Sequence, residues 1–451
     1  MKRDRDMRRI GGNGRMTTAE LSVAFFLQMA VIVAACRAMG WAVKRFFDQP
    51  QVVGEMIAGV ILGPSLFGLL APDLQHMLFP KESKSILYVG AQLGVGLYMF
   101  LVGVGFRSDH FKANAKSAMA VSLSGMTAPF LVAILLTPWL MGLNLFGAGV
   151  QSFQATLFMG AAISITAFPV LARIIQERGL TRTPLGSLSL SAGAIDDAGA
   201  WTVLAIVLAS LGGGAAVALK AIIGGGLFAL FMLTLGPKLL APLGRWAERE
   251  GKVTPTLLGV IVVLFMLSAW AMDAAGLHSV FGGFILGAAM PRGLLTRELK
   301  KQLEPFALAL LVPMFFTFSG LNTQLTMVNS WALAGVALVI LAGSIAAKGL
   351  ACWAAARLTG QDNATAMGIG ALMNARGLME LIIINIGLQK GIIGPALFSM
   401  LVVMAIVTTL MASPLFEIVY GRKARESGEL GALNEDEDEE PARGTAPAAA
   451  R

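Results

Sequence analysis

Two aspartates stand side by side in "SAGAIDDAGAW" (residues 191–201), and from Thr183 to Leu219 Asp196 and Asp197 are the only charged side chains. Adjacent carboxylates in apolar surroundings repel each other, and a bound proton or a hard monovalent cation relieves that repulsion. A third isolated charge is Lys348, in "LAGSIAAKGLACW", alone between Glu304 and Arg357. An ion pair between Lys348 and Asp196 would leave Asp197 free to bind something else. Arg376 and Glu380, in "MNARGLME", are spaced to share one helical face if the helix continues there, and read as an internal ion pair. Glu55, the only acid of "QVVGEMIAGVILGPS", is an alternative partner for Arg376. Thr166 and Asn374 add neutral oxygens to the same set. His278 and Asp273 fall near the ends of apolar runs and read as helix-end residues. No resident-metal, Ser/His/Asp or phosphate-loop pattern occurs at usable spacing, so neither an enzyme nor a cofactor is expected.

The elements that must position these groups are set by composition. The chain has 451 residues, 56% hydrophobic and 14% charged, where soluble domains carry about 25% charged residues. Apolar runs of about 20 residues cross a bilayer as helices, which satisfy their own backbone hydrogen bonds in lipid. Thirteen such runs are centred near residues 30, 60, 96, 128, 164, 197, 225, 264, 284, 313, 345, 377 and 406, the one at Ser279–Met290 being short. The expected fold is therefore an all-α polytopic membrane protein, with an N-terminal extension (1–19), a transmembrane domain (20–420) and a disordered tail (421–451) containing "NEDEDEE".

The net charge of +8 does not point to nucleic acid, because Lys and Arg crowd into alternate loops. By the positive-inside rule the crowded side, about eighteen residues against four, is cytoplasmic. That places the C-terminus on the cytoplasmic side of a cell (inner) membrane and, with thirteen helices, the N-terminus outside. The opening "MKRDRDMRRIGGNGRM" opposes this with six Lys/Arg, and a start at Met16 would remove the conflict. Cys36 and Cys352 lie in apolar runs and give no disulfide framework.

Asp196 and Asp197 lie about 14 residues, roughly 21 Å along a helix, from Arg182. A charge at that depth costs on the order of 2.5–3.5 kcal/mol, so it is read as functional. Two stretches look like broken helices: "SITAFPVLAR" (Ser164–Arg173), with Thr166 and Pro169 in mid-run, and "MNARGLME" (Met373–Glu380). "AGVILG" (Ala58–Gly63) is echoed by "GGFILG" (Gly282–Gly287), and "MFLVG" (Met99–Gly103) by "MFFTFSG" (Met314–Gly320). The order of the echoes suggests two inverted six-helix repeats, a plan in which broken, crossing helices form a substrate site near the midplane.

With these residues in view, the chain resembles the monovalent cation/proton antiporter superfamily, in the Kef-type and plant CHX-like branch. The stretches that carry the resemblance run from "VVGEMIAGVILGPSLFG" through "ITAFPVLARIIQERGL", "AIDDAGAW", "GLHSVFGGFILGAAMP", "AAKGLACWAAARLTG" and "MNARGLMELIIINIGL" to "VVMAIVTTLMASPLFE". It implies a homodimer in the lipid bilayer, with a core subdomain that moves like an elevator against a dimer subdomain. It implies Asp197 as the principal carrier of cation and proton, Asp196 beside it in the monovalent-cation site, and Lys348 as charge partner of Asp196. The expected activity is exchange of Na⁺ or K⁺ for protons by alternating access. The alternative reading is a channel-like efflux protein without obligatory proton coupling. Kef proteins carry a nucleotide-binding domain that this sequence does not contain, so ligand gating of that form within the polypeptide is not expected.

Overall fold

The computed structural model of the chain describes residues 17–47, 49, 51–105, 108–181, 183–208, 214–275, 279–322 and 330–426. Arg182, His278, the opening residues 1–16 and the acidic tail 427–451 lie outside the described residues. The described residues form helices joined by short connections. In chain order the longer ones are α1 (Thr18–Phe47), α2 (Gln51–Leu62), α3 (Lys84–Gly105), α4 (Ser108–Gly142), α5 (Ser152–Ser164), α6 (Phe168–Glu177), α7 (Pro184–Leu208), α8 (Gly214–Thr234) and α9 (Gly236–Glu250), with two short helices, Phe67–Leu70 and Pro72–Leu78, between α2 and α3. They continue with α10 (Pro255–Ala275), α11 (Ser279–Ala289), α12 (Leu294–Phe306), α13 (Val312–Leu321), α14 (Trp331–Leu358), α15 (Asn363–Leu372), α16 (Leu378–Gln389) and α17 (Pro395–Glu426).

Among the described residues, eight helices are long and apolar enough to cross a membrane, or nine if α8 and α9, bent by 48°, make one span. Every centre expected from the sequence falls in a helix or at a helix break. The count of thirteen is thus a count of apolar segments, some too short or too interrupted to span alone. Two boundaries shift. Helix α1 starts at Thr18, ahead of residue 20, because the Thr17 hydroxyl accepts from the Glu20 amide while the Glu20 carboxylate accepts from the Thr17 amide. Helix α17 runs through Glu426, so residues 421–426, expected from the sequence to belong to the tail, are helical. Ion pairs from Arg425 to Glu417 and from Lys423 to Asp362 hold that last turn.

The helices sort into two groups by their contacts. One contains α1, α2, α3 and α8 to α13; the other contains α4 to α7 and α14 to α17. They meet where α7 touches α8, where α2 and α3 touch α6, where α13 touches α16, and where α2 touches α17. In the first group the echoed segments pack crosswise: α2 against α13, and α11 against α3. Glycine makes both crossings close enough to be backbone on backbone. A Cβ on Gly59 would overlap the Phe316 carbonyl, and one on Gly287 the Phe100 carbonyl. Phe47 at the end of α1, Gln51, the end of α6 and the start of α13 lie toward one face, which carries most of the Lys and Arg among the described residues. Lys84, Asn322 and the end of α16 lie toward the lysine-poor face.

Candidate functional site

The second group is organised around two helix breaks. Helix α5 stops at Ser164, the chain runs extended through Ile165 and Ala167, and α6 starts with Pro169 in its first turn. Proline is tolerated there because first-turn amides have no partner within the helix. The interruption therefore lies just ahead of Pro169. Across from it, α15 stops at Leu372 and α16 begins at Leu378. The two breaks touch through the Ala167 amide, which donates to the Ala375 carbonyl at 3.0 Å.

A helix that stops inside the protein leaves four carbonyls to satisfy. At the end of α15 the chain does this itself: the amides of Met373, Asn374 and Ala375 and the Asn374 side chain donate to the carbonyls of residues 369–372. At the end of α5 most of the donors are imported. The Ser164 hydroxyl lies 3.4 Å from the Ala161 carbonyl. Arg376 donates to Ala162 at 3.1 Å and to Ile163 at 2.6 Å, and Lys348 donates to Ser164. Two cations thus meet the negative end of one half-helix, the arrangement a helix dipole favours.

Asp196 sits at the middle of α7 and is fully buried. Its Oδ1 accepts from Ser122 at 2.5 Å; its Oδ2 accepts from Thr166 at 2.7 Å and from the Lys348 ammonium at 2.9 Å. Lys348 has no exposed surface and does not snorkel. Its three protons face Asp196, the Ser164 carbonyl and, at 3.3 Å, the Gly125 carbonyl. The expected Asp196–Lys348 pair is therefore present and completely hydrogen-bonded.

Asp197 is the opposite case. It is 2% exposed, and neither of its oxygens has a hydrogen-bond partner among the described residues. Thr166 bonds to Asp196 and also lies 3.0 Å from the Met373 carbonyl, so its one proton is already engaged. Asn374 is buried with its amide nitrogen on the Gly370 carbonyl, while its Oδ1 accepts nothing.

The Arg376–Glu380 pair forms at 3.4 Å with both side chains buried, although no continuous helix joins them. Arg376 lies in the break and Glu380 in the first turn of α16, where the dipole favours an acid. Glu55 does not pair with Arg376. Its partners are Arg173 on α6, at 3.7 Å, and Gln51, at 3.2 Å. Helix α2 meets α6 in this fold, and Arg376 is already occupied by the α5 carbonyls and Glu380. Asp273 is exposed near the end of α10, as its position in the run suggests. Sequence reasoning missed Ser122, Arg173 and Thr409, which accepts from the Arg376 amide and donates to its carbonyl. Hydroxyls are too frequent in apolar runs for Ser122 or Thr409 to stand out.

Among the described residues, the buried charges around the two breaks balance in pairs, Asp196 with Lys348 and Glu380 with Arg376, leaving the Asp197 carboxylate over. An uncompensated buried carboxylate is costly, so the arrangement calls for one positive charge at Asp197.

The family description "Sodium/hydrogen exchanger, transmembrane" matches residues 17–419. The chain is 40% identical over 396 residues to the Na(+)/H(+) antiporter NhaS4 of Synechocystis, covering 86% of this chain and 95% of that one. It is 33% identical over 415 residues to Cation/H(+) antiporter 20 of Arabidopsis thaliana and 31% identical over 414 residues to K(+)/H(+) antiporter 1 of Saccharomyces cerevisiae. It spans about half the length of those two relatives, 48% and 46%. The solved structure of the sodium proton antiporter MjNhaP1 from Methanocaldococcus jannaschii superposes with a TM-score of 0.62 at 16% identity. That comparison covers 92% of this chain and all of the other, a likeness of fold.

Proposed function

The chain belongs to the sodium/hydrogen exchanger family, and from that premise we propose that it exchanges Na⁺ or K⁺ for protons across a membrane, with Asp197 carrying each in turn. The observation that carries this reading is the unpartnered Asp197 beside a fully bonded Asp196–Lys348 pair. One monovalent charge neutralises the site, and a proton and an alkali cation satisfy that condition equally. They therefore compete for the same carboxylate, and obligatory exchange follows if the site changes sides only when neutral.

In this reading Asp196, Lys348, Arg376 and Glu380 keep the broken helices in place, and Asp196 borders the cation. The free Oδ1 of Asn374 is a candidate neutral ligand; Thr166 is a positioning residue that orients Asp196. The group containing α5, α6, α15 and α16 moves against the group containing α2, α3, α11 and α13, whose glycine crossings suit a rigid support. The protein works as a homodimer in the cell (inner) membrane, with its Lys/Arg-rich face and C-terminus cytoplasmic.

The test is transport in liposomes. With a pH gradient imposed, internal pH is followed on addition of Na⁺, K⁺ or Li⁺. Wild-type protein should collapse the gradient with at least one cation and Asp197→Asn with none. Equal collapse by the variant would remove Asp197 from the carrier role. Conduction without cation-dependent proton movement would favour a channel instead.

A further inference from the structure

The two helix groups are tied by charged side chains at one face, and at the other a cavity separates α3 and α13 from α16. At the Lys/Arg-rich face, Arg173 of α6 reaches Glu55 of α2 at 3.7 Å. The Gln51 amide donates to the Glu177 carboxylate at 2.7 Å, and Gln176 lies 3.4 Å from Glu304 of α12. A cleft of ≈240 Å³ is lined by the same charged side chains. At the lysine-poor face the groups enclose a cavity of ≈480 Å³ between α3, α13 and α16, lined in part by Lys84, Gln92, Asn322 and Asn385.

The joining contacts differ in kind from the bonds around Asp196. Arg173 is only 6% exposed and Glu55 is fully buried, yet Arg173 Nη1 and Glu55 Oε2 have no hydrogen-bond partner. Arg173 is held on one side by Glu177 of its own helix, at 2.7 Å. A buried network left partly unsatisfied loses less on opening than a complete one, because water can reach the groups it exposes. Helix α6 also continues directly from the break that places Thr166 on Asp196, so displacement of its far end is transmitted to the site.

We infer that Arg173 and Glu55 form a breakable latch between the moving and supporting groups. The latch closes the Lys/Arg-rich face and holds the state that is open toward Asn385. Passage of the site to the other face requires the pair to separate. Arg173 and Glu55 are positioning residues: they set how often each side sees the site, without touching the transported ion. This inference rests on the alternating-access reading above.

The experiment introduces Asn385→Cys as a reporter in the large cavity. The rate of its modification by a membrane-impermeant thiol reagent is followed in lipid nanodiscs at constant pH and salt. Cys36 and Cys352 are buried, so the introduced thiol is the expected site of reaction. Glu55→Gln and Arg173→Gln should each slow labelling about fivefold or more, the scale of a typical coupling between two states. Arg173→Lys, which keeps the charge, should label close to the parent rate.

If either uncharged variant fails to fold, the other carries the test; mass spectrometry that finds Cys36 or Cys352 modified identifies unfolding. Labelling of folded Glu55→Gln or Arg173→Gln within about twofold of the parent would overturn the latch. So would equal slowing in Arg173→Lys. The readout needs no transport, so loss of the carrier role of Asp197 would leave this result standing on its own.

Discussion

Replacing Lys348 by Met keeps the side-chain length and removes the charge, leaving Asp196 with only the Ser122 and Thr166 hydroxyls. It also strips the Ser164 and Gly125 carbonyls of their donor. Removing one member of a buried ion pair costs about 3–5 kcal/mol, chiefly because the other charge stays behind without a counter-charge. Removing both charges together is commonly far cheaper, so Lys348→Met with Asp196→Asn should cost no more than about 2 kcal/mol. With each single change costing at least about 3 kcal/mol, the coupling between the two sites should then be at least about 4 kcal/mol, nearly a thousandfold in the unfolding equilibrium. Reversible unfolding of the purified protein in mixed micelles, for wild type, both single variants and the double variant, measures it as a closed cycle. A coupling under about 0.5 kcal/mol, the scatter expected for independent sites, would refute the argument that Lys348 stabilises the fold through Asp196.

Asp197 should behave differently from its neighbour. Because its oxygens have no partner, Asp197→Asn should leave thermal stability unchanged or raise it, while Asp196→Asn lowers it; a melting series in detergent separates the two. Gly59→Leu should disrupt the α2–α13 crossing by about 1–3 kcal/mol, seen as loss of a monodisperse peak or an earlier melt. Arg376→Gln should destabilise strongly, because the Ala162 and Ile163 carbonyls lose a charged donor and Glu380 its counter-charge; recovery of stability in Arg376→Gln with Glu380→Gln would isolate the second effect. Outside the membrane, burial works against ionisation of Asp362, but the Lys423 and Thr365 hydrogen bonds outweigh it and hold the carboxyl well below the usual range. Such a depressed group contributes stability above its unfolded value, about pH 3.9, and loses it as pH falls through the folded value. The stability gap between wild type and Asp362→Ala should therefore be flat from neutral pH to about 4 and narrow only below that.

How far the sequence could be read depended on how rare each signal was. Asp196, Asp197 and Lys348 stand out because charges are scarce in apolar runs, but isolation does not choose between the two aspartates: Asp196 as the partner of Lys348 is what the family resemblance implies, and the 2.9 Å contact is there in the structure. The broken helices were legible from Pro169 and from the stretch "MNARGLME", yet the interruption at residues 165–167 lies ahead of the proline, where the helix can start cleanly behind it. The Glu55 partner was not legible: Arg173 and Arg376 are equivalent on paper, and only the meeting of α2 with α6 chooses between them. The imported caps of α5 were equally hidden. Nothing in "MGAAIS" announces that its carbonyls will be met by side chains roughly two hundred residues further along.

The glycine crossings also bear on how the chain is made. Gly59 meets the backbone at Phe316, and more than half of the polypeptide lies between them. During synthesis α2 and α3 enter the membrane long before α11 and α13 exist, and until then their glycine-lined sides face lipid or each other. The amino-terminal half must therefore wait, inserted but unpaired, for a partner that only later translation supplies. A chain truncated before α11 should insert yet be cleared by proteolysis, and co-expression of the missing half should rescue it.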